Sequence, residues 1–269
     1  MSFLSKAVDP PNELSVTNAI RLLQDIGALT SDEKLTELGK QLGALPVHPS
    51  TSKMLLLGIL LNCLNPALTI ACAAGFRDPF VLPTNAEQRK LAFAAKRELS
   101  SAYGGYSDQL AIVAAYDRWE KAQSRGAAEK FCAQNFLSMG TMNMLSAMRE
   151  QLRRELSMKG FIPHSCNLNA NDAGIVRALL VAGSYPMVGM LLPALPTGKK
   201  AVVQTAQGMK VRIHPHSLNF KLVHASNQKQ EAVNKPLLVF DEVTRGEAWM
   251  YIRNCTVVKP HPLVLLASE

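Results

Sequence analysis

Basic and imidazole side chains recur at every second position between residues 210 and 216. The recurring residues are Lys210, Arg212, His214 and His216, and the positions between them hold Val211, Ile213 and Pro215. Because successive side chains of a strand point to opposite faces, one face can join a core while the other presents two fixed charges and two imidazoles. Such a face can bind an anionic ligand. The histidine pair could ligate a metal ion, but no third ligand accompanies it, so we expect no metal site.

The stretch WMYIRN at residues 249–254 alternates in the same way. Met250 and Ile252 form the natural core pair, so Trp249, Tyr251 and Arg253 are expected on the outer face. Outward aromatic rings can stack on nucleic-acid bases. The alternative is that Trp249 packs beneath a helix predicted at 171–183.

The composition favours a folded intracellular protein with an anionic partner. Of the 269 residues 48% are hydrophobic, and the formal net charge of +8 favours a ligand such as nucleic acid. The five cysteines are odd in number and form no CxxC pair, so we expect buried, reduced thiols in a nuclear or cytoplasmic protein. The amino-terminal sequence MSFLSKAVDPP has no apolar core of signal-peptide length.

Changes in composition predict three domains. We predict a winged helix for residues 1–56 and a helical bundle for residues 57–160. For residues 161–269 we predict a short helix followed by strands. The net charges of these segments are −1, +4 and +5, so an anionic ligand is expected on the second and third.

Turn and capping residues support the winged-helix prediction. Ser15 or Thr17 can cap a helix that Gly27 ends. A short amphipathic helix follows, and the chain leaves through an extended segment that contains Pro46 and Pro49.

Residues 54–76 carry no charge and are long enough to span a bilayer. Asn62, Asn65 and Pro66 lie at the centre of this stretch, where polar groups and a helix break are costly in lipid. We therefore predict two buried helices joined at Asn65-Pro66, and no membrane span.

In the third domain Asn171 is expected to cap a helix that Gly183 ends. Six candidate strands follow, at residues 186–192, 201–205, 210–214, 236–243, 249–257 and 262–266. Five or six short strands of this kind predict a small closed barrel such as an OB-fold.

Catalytic motifs are missing from the sequence. It contains no GxxxxGKS/T phosphate loop, no GxSxG elbow and no HExxH pair. The segment LPTGKKA at residues 195–201 has a Gly-Lys pair without the upstream glycine, and predicts a basic hairpin tip. We therefore expect no complete catalytic site in this chain.

Three successive segments resemble the C-terminal part of the DEAH/DExH-box RNA helicases. Residues 3–58 resemble the winged helix that follows the second RecA-like domain. The stretches ACAAGFRDPF and SDQLAIVAAYDRW resemble the ratchet-like helicase-associated domain, and NDAGIVRALLVAGSYP, VRIHPHSLNF and WMYIRNCTVVKPHPLVLLA resemble the OB-fold. The resemblance implies a multidomain fold, α then β, and is closest to the DExH subgroup with RNA helicase A and its plant relatives.

This resemblance implies an ATP-dependent parent that unwinds nucleic acid in the 3′-to-5′ direction. The chain is expected to be the C-terminal half of that parent and to close the RNA channel over its RecA-like domains. ATP and Mg²⁺ belong to those domains, so we expect no cofactor and no ATP hydrolysis in this chain alone. A different hypothesis is a protein-interaction platform, because in some relatives the winged helix docks activators.

The resemblance also implies a site on the OB-fold strand face, where barrels of this type bind single strands. Lys210 and Arg212 are expected to meet phosphates, while His214 and His216 stack on or hydrogen-bond to bases or 2′-hydroxyls. Further neutral and flanking groups are expected from Ser217, Asn219, Lys199 and Lys200. The alternative is an ordinary solvated strand face.

The bundle is implied to line the RNA path. Arg77 in RDPF and Ser107-Asp108 in SDQ match family segments, although Ser107 and Asp108 could simply cap a helix. Three further cations either contact phosphate or the RecA-like domains, or form a solvated helix face: Arg149, Arg153 and Arg154.

Overall fold

The computed structural model describes residues 6–192, 201–222 and 236–266. In it the chain divides into two compact units, residues 1–53 and residues 54–269.

The first unit is built from helix α1 (Glu13–Asp25) and helix α2 (Glu37–Gly43). Asn12, rather than the predicted Ser15 or Thr17, caps α1, since its side-chain oxygen accepts a hydrogen bond from the Leu14 N–H at 2.9 Å. Ser15 and Thr17 lie inside the first turn and a half of that helix.

The end of α1 follows the prediction. Gly27 has a φ of +76°, a conformation that glycine adopts without steric cost, and it turns the chain away from the helix. A short antiparallel bridge between Leu29 and Leu35 then precedes α2.

A bundle of helices fills the first half of the second unit. Helix α3 (Pro49–Leu60) begins in the first unit, and the others are α4 (Leu64–Ala74), α5 (Ala86–Ser101), α6 (Asp108–Gln123), α7 (Ala128–Gln134) and α8 (Met139–Met158). α6 is central, because it packs against α4, α5 and α7 and buries Leu110, Val113 and Trp119 completely.

The predicted pair of buried helices between residues 54 and 76 is present, but the predicted junction is wrong. The helices separate at residues 61–63, where Asn62 has a φ of 53°. Pro66 instead lies in the first turn of α4, where a proline costs no intrahelical hydrogen bond. Among the described residues, no helix is both long and apolar enough to cross a membrane.

In the described part of the chain, seven strands form one sheet after helix α9 (Ala173–Ser184). They are β1 (Val188–Leu191), β2 (Val202–Thr205), β3 (Lys210–Ile213), β4 (Leu237–Val239), β5 (Glu242–Arg245), β6 (Met250–Arg253) and β7 (Thr256–Val258). Their order is β5-β6-β3-β2-β1-β4-β7, and among these described strands only the β3–β6 pair is parallel. The sequence analysis predicted a closed barrel, but the sheet of the described residues is open, with β5 and β7 at opposite edges.

Three of the predicted strands differ from the structure. The candidate at 236–243 is two strands, β4 and β5, joined at Phe240 and Asp241. The candidate at 249–257 is also two, because Asn254 has a φ of 50° and interrupts the extended backbone. The candidate at 262–266 belongs to helix α10 (Pro260–Leu266), whose prolines lie in its first turn, where no N–H is needed.

The sheet and the bundle share one interior. Arg177 on α9 donates to the backbone carbonyls of Tyr103 at 3.0 Å and of Val257 at 2.7 Å, and also to that of Gly105. One guanidinium thus joins the α5–α6 turn to strand β7. All five cysteines are buried and unpaired, as predicted.

Helix α9 is capped one residue later than predicted. The carboxylate of Asp172, not the side chain of Asn171, accepts hydrogen bonds from the N–H groups of Gly174 at 2.8 Å and Ile175 at 3.0 Å. Asn171 is exposed.

We therefore expect Asp172→Ala to lower the free energy of unfolding by about 1 kcal/mol, the usual cost of losing an N-cap. Asn171→Ala, its matched control, should stay within about 0.5 kcal/mol of the wild type. Urea unfolding monitored by circular dichroism measures both values. Equal losses in the two variants would contradict this assignment of the cap.

Candidate nucleic-acid interface

The predicted alternation along β3 is observed. Val211 and Ile213 are buried, whereas Lys210 is exposed and Arg212 is half-buried. Strand β6 lies parallel beside β3 and places Tyr251 next to Arg212. The two strands therefore combine their outward side chains on one face of the sheet.

An aromatic ring and a guanidinium stack at one end of this face. The guanidinium carbon of Arg212 lies 3.8 Å from the centroid of the Trp249 ring, and Trp249 remains 36% exposed. Stacking on a ring is favourable for a guanidinium, which is planar and weakly hydrated. Trp249 therefore lies on the outer face, as expected, and not in a buried position beneath α9.

The two histidines follow β3 and contact each other. The rings of His214 and His216 meet edge to face, with centroids 4.7 Å apart, and His214 lies 5.9 Å from the ring of Tyr251. The Nη2 atom of Arg253 is 3.3 Å from His214 Nε2. Lysine, arginine, imidazole and aromatic groups thus lie on one side of these neighbouring strands, and we call this set the strand face: Lys210, Arg212, His214, His216, Trp249, Tyr251 and Arg253.

Both imidazoles of the strand face are neutral near pH 7. Burial, followed by the charge of Arg253 and by His216, lowers the pKa of His214 to about 4. Burial and the charges of Arg253 and Lys96 also lower the pKa of His216. The fixed positive charge of the face at neutral pH therefore comes from Lys210, Arg212 and Arg253. In the part of the chain that the structure describes, no group of three or more His, Cys, Asp or Glu residues could hold a metal ion.

Four other predicted site residues lie in the interior and not on the strand face. Ser107, Asp108, Ser217 and Asn219 are each exposed by 4% or less. Ser217 and Asn219 do not continue the alternation, because β3 ends at Ile213 and the chain turns there. The prediction that these side chains offer polar groups to a ligand is corrected by this burial.

The carboxylate of Asp108 is the centre of this buried group. It accepts hydrogen bonds from the Leu218 N–H at 2.9 Å, the Cys255 N–H at 3.1 Å and the Ser217 hydroxyl at 2.5 Å. The ammonium of Lys96 lies 3.1 Å from Asp108 Oδ1, the oxygen that also accepts from Leu218. Burial would lower the pKa of Lys96, but the charges of Asp108 and Asp78 outweigh it and raise that pKa.

Ser107 and Asn219 complete the buried network. The Ser107 hydroxyl accepts from the Leu110 N–H at 3.0 Å, so it caps α6, as the alternative interpretation held. Its oxygen also lies 2.5 Å from the hydroxyl of Thr256 on β7. The Asn219 amide donates to the carbonyls of Tyr106 at 3.1 Å and Cys255 at 2.9 Å.

The remaining cations that the sequence analysis singled out do not belong to the strand face. Arg77 is exposed after α4, and Arg153 and Arg154 are exposed on α8. Arg149 is only 8% exposed, donates to the Asn65 carbonyl at 2.6 Å and stacks 4.2 Å from the ring of Tyr116, so it belongs to the bundle core. Lys199 and Lys200 lie outside the described residues.

Lys96 and Asp241 were missed by the sequence analysis. Lys96 is four residues after buried Ala92 and three before buried Leu99, so helical periodicity could have placed it on the inner face of α5. Asp241 receives a hydrogen bond from the Gln109 amide at 2.6 Å, and no local pattern could have indicated that contact. Burial raises the pKa of Asp241 to about 7 against hydrogen bonds from Gln109 and Asn254.

Three protein families match successive parts of the chain. Residues 19–47 match the winged-helix part of the helicase-associated domain (HA2), and residues 48–138 match its ratchet-like part. Residues 176–269 match the oligonucleotide/oligosaccharide-binding (OB) fold family. The described helices and the open seven-stranded sheet follow this order.

Curated relatives match almost the whole chain. It is 51% identical over 270 residues to DExH-box ATP-dependent RNA helicase DExH6 of Arabidopsis thaliana, a match that covers 99% of the chain and 20% of that protein. It is 46% identical to DExH2 of the same plant, over 99% of the chain and 17% of the relative. Human ATP-dependent DNA/RNA helicase DHX36 is 36% identical, over 99% of the chain and 26% of the relative.

The chain therefore carries the accessory domains of the DExH-box RNA helicases and matches the C-terminal region of its plant relatives. It spans about a sixth to a quarter of the length of these relatives.

The raised pKa of Asp241 predicts a pH-dependent stability. In the folded chain the carboxyl keeps its proton up to about pH 7, whereas at its ordinary pKa of 3.8 an unfolded chain releases it. The folded state thus binds more protons between these values, and the contribution of Asp241 to stability falls as the pH rises from 3.8 to about 7. Above that window it stays constant.

We expect Asp241→Asn to remove this contribution, because an asparagine oxygen can still accept from Gln109 without titrating. Urea unfolding from pH 4.5 to 8 should show the wild type losing stability relative to Asp241→Asn as the pH rises. Glu247→Gln, an exposed carboxylate after β5, is the control and should leave the pH profile unchanged. Parallel profiles for the wild type and Asp241→Asn would contradict the assignment.

Proposed function

We propose that the chain binds single-stranded nucleic acid on the strand face of its OB-fold and acts as the accessory module of an ATP-dependent RNA helicase. The observation that best supports this proposal is the strand face, where exposed cations and aromatic rings on β3, on β6 and next to them lie side by side. OB-folds bind strands through a basic groove that follows the backbone and through rings that stack on bases.

The chemistry of the strand face suits this ligand. Lys210 and Arg253 are exposed and can pair with phosphates. Trp249 and Tyr251 supply rings for stacking. The neutral imidazoles of His214 and His216 can hydrogen-bond to base edges or to 2′-hydroxyls, which distinguish RNA from DNA. We further propose Arg77, exposed after α4, and the cations Lys199 and Lys200 as flanking phosphate contacts.

The wider role rests on the names of the relatives and on the family resemblance. The parent is proposed to unwind nucleic acid in the 3′-to-5′ direction, with ATP and Mg²⁺ bound by RecA-like domains that this sequence does not contain. The present module would close the channel over those domains. It has no phosphate-binding loop of its own, and we expect no hydrolysis of ATP by the isolated chain.

A second candidate function is protein docking on the first unit. Leu14 on α1 and Leu35 before α2 are 67% and 57% exposed, and exposed apolar side chains of this kind can seat an activator protein. Salt separates the two functions, because phosphate contacts release counterions and apolar contacts do not.

We expect Lys210→Ala combined with Arg253→Ala to weaken binding of single-stranded RNA to a similar extent for all sequences, because phosphate contacts carry affinity and not base identity. The slope of log affinity against log salt should shrink by about 1–1.5, the share of two phosphates on a single strand. Fluorescence anisotropy with labelled 12-mers at several salt concentrations measures both. We leave Arg212 intact here because its removal would also expose Trp249.

The matched control is Lys130→Ala with Lys159→Ala, which removes the same charge from exposed positions on α7 and after α8. The control should change affinity and slope much less. Loss of affinity in both double variants alike would show that net charge, and not the strand face, determines binding.

Tyr251 tests the stacking contribution. Tyr251→Ala should weaken RNA binding by about 1–3 kcal/mol, the cost of losing one stacked base, while Tyr251→Phe keeps the ring and should bind almost as the wild type does. Thermal unfolding of the same proteins is the second measurement. If Tyr251→Ala instead melts far lower while its folded fraction binds normally, the ring belongs to the core.

A further inference from the structure

A pocket of about 260 Å³ opens beside the strand face. It lies between the loop after α4, helix α5 and the turn after β3, and His216 belongs to both the pocket and the strand face. Its wall combines aromatic, apolar and charged side chains, among them Asp78, Phe80, Val81, Phe93, Lys96 and His216. Pockets for drug-sized molecules measure about 300–1,000 Å³. This one suits a smaller group, on the scale of a single heterocyclic base.

The polar groups of the pocket are held in place. One oxygen of Asp78 accepts from the Phe80 N–H at 2.9 Å, and the other lies 3.6 Å from the Lys96 ammonium. The Lys96 side chain is only 6% exposed and is itself paired with Asp108 at 3.1 Å. The Asp78 side chain is 35% exposed to solvent. Because a carboxylate oxygen has two lone pairs, both oxygens of Asp78 can still accept a hydrogen bond from a ligand.

We propose that this pocket binds one unstacked guanine base of a strand that lies on the strand face, and that Asp78 accepts hydrogen bonds from the N1–H and the N2 amino group of that base. The inference rests on the proposed function and adds a base preference to it. Asp78 is thereby a specificity-determining residue, whereas Lys210 and Arg253 contribute affinity alone.

The chemistry of the bases favours guanine. A carboxylate offers two adjacent acceptors, and guanine alone among the four bases carries two adjacent donors on its Watson–Crick edge. Adenine, cytosine and uracil each offer one donor group there, so they can satisfy only one of the two oxygens. Unstacked bases in single strands are commonly read on this edge while an aromatic side chain supports their plane, a role that Phe80 or Phe93 can fill.

The position of His216 connects the pocket to the strand. Its ring contacts His214, which in turn lies beside Tyr251, so a strand stacked on the tyrosine passes the mouth of the pocket. A base turned out of the stack at this point enters beside His216. The pocket therefore reads one position of the strand while the strand face holds its neighbours.

The test measures binding of four labelled RNA 12-mers that are uridine except at one central position, which is guanosine, inosine, adenosine or an abasic unit. We expect the wild type to bind the guanosine strand at least about fivefold more tightly than the adenosine strand, the lower end of a bidentate base contact. Inosine lacks the N2 amino group and should lie between them. Asp78→Asn replaces one acceptor by an amide donor, so it should abolish the guanosine preference, and the adenosine strand, whose N1 and N6 amino group match that amide, should bind at least as tightly as the guanosine strand.

Two further variants keep the result interpretable. Val81 lines the pocket and is 50% exposed, so Val81→Trp should fill the pocket without disturbing the fold and should also abolish the preference. Lys210→Ala with Arg253→Ala should weaken all four strands and preserve the preference. Equal binding of the four strands by the wild type would overturn the guanine pocket alone, whereas absence of binding to every strand would overturn the proposed function as well.

Discussion

A buried carboxylate, that of Asp108, is the constraint on which the second unit depends. Moving an unpaired carboxylate out of water costs several kcal/mol, so this residue is tolerated at 1% exposure only because four groups surround it. Those groups come from α5, from the turn after β3 and from Cys255 between β6 and β7. The bundle and the sheet must therefore meet in one arrangement, because any displacement would leave a charge unpaired.

This arrangement also determines where the strand face ends. The hydrogen bonds from Ser217 and Leu218 to Asp108 hold the turn after β3 against the start of α6. His214 and His216 lie at the start of that turn, and they are thereby held beside Arg253 and beside the pocket on α5. The buried network and the exposed strand face thus share one short segment, in which Ser217 is buried against Asp108 while the neighbouring His216 is exposed.

Charge is distributed on the strand face in a way that suits a polyanion. The imidazoles remain neutral because burial and the nearby guanidinium of Arg253 oppose their protonation. In the proposed function Lys210, Arg212 and Arg253 supply the attraction for phosphate. The neutral rings beside them would contact bases, so affinity and base contact would be divided between different side chains.

The sequence by itself determined the order of the folded parts and the two alternating strands. Val211, Ile213 and Ile252 turn inward because a strand has a period of two and a core excludes water, and both rules act on neighbouring residues. The helices were also predicted from a local pattern, the periodicity of their apolar residues. Their caps were not: the caps at Asn12 and Asp172 lie one to a few residues from the predicted positions. Only the tertiary structure decided that Ser107, Asp108, Ser217 and Asn219 are buried, that Arg149 is in the core and that the sheet stays open. Most of these buried polar residues have a partner 80 or more residues away, such as Leu218 for Asp108, and no local pattern records which distant donor will satisfy a buried polar group.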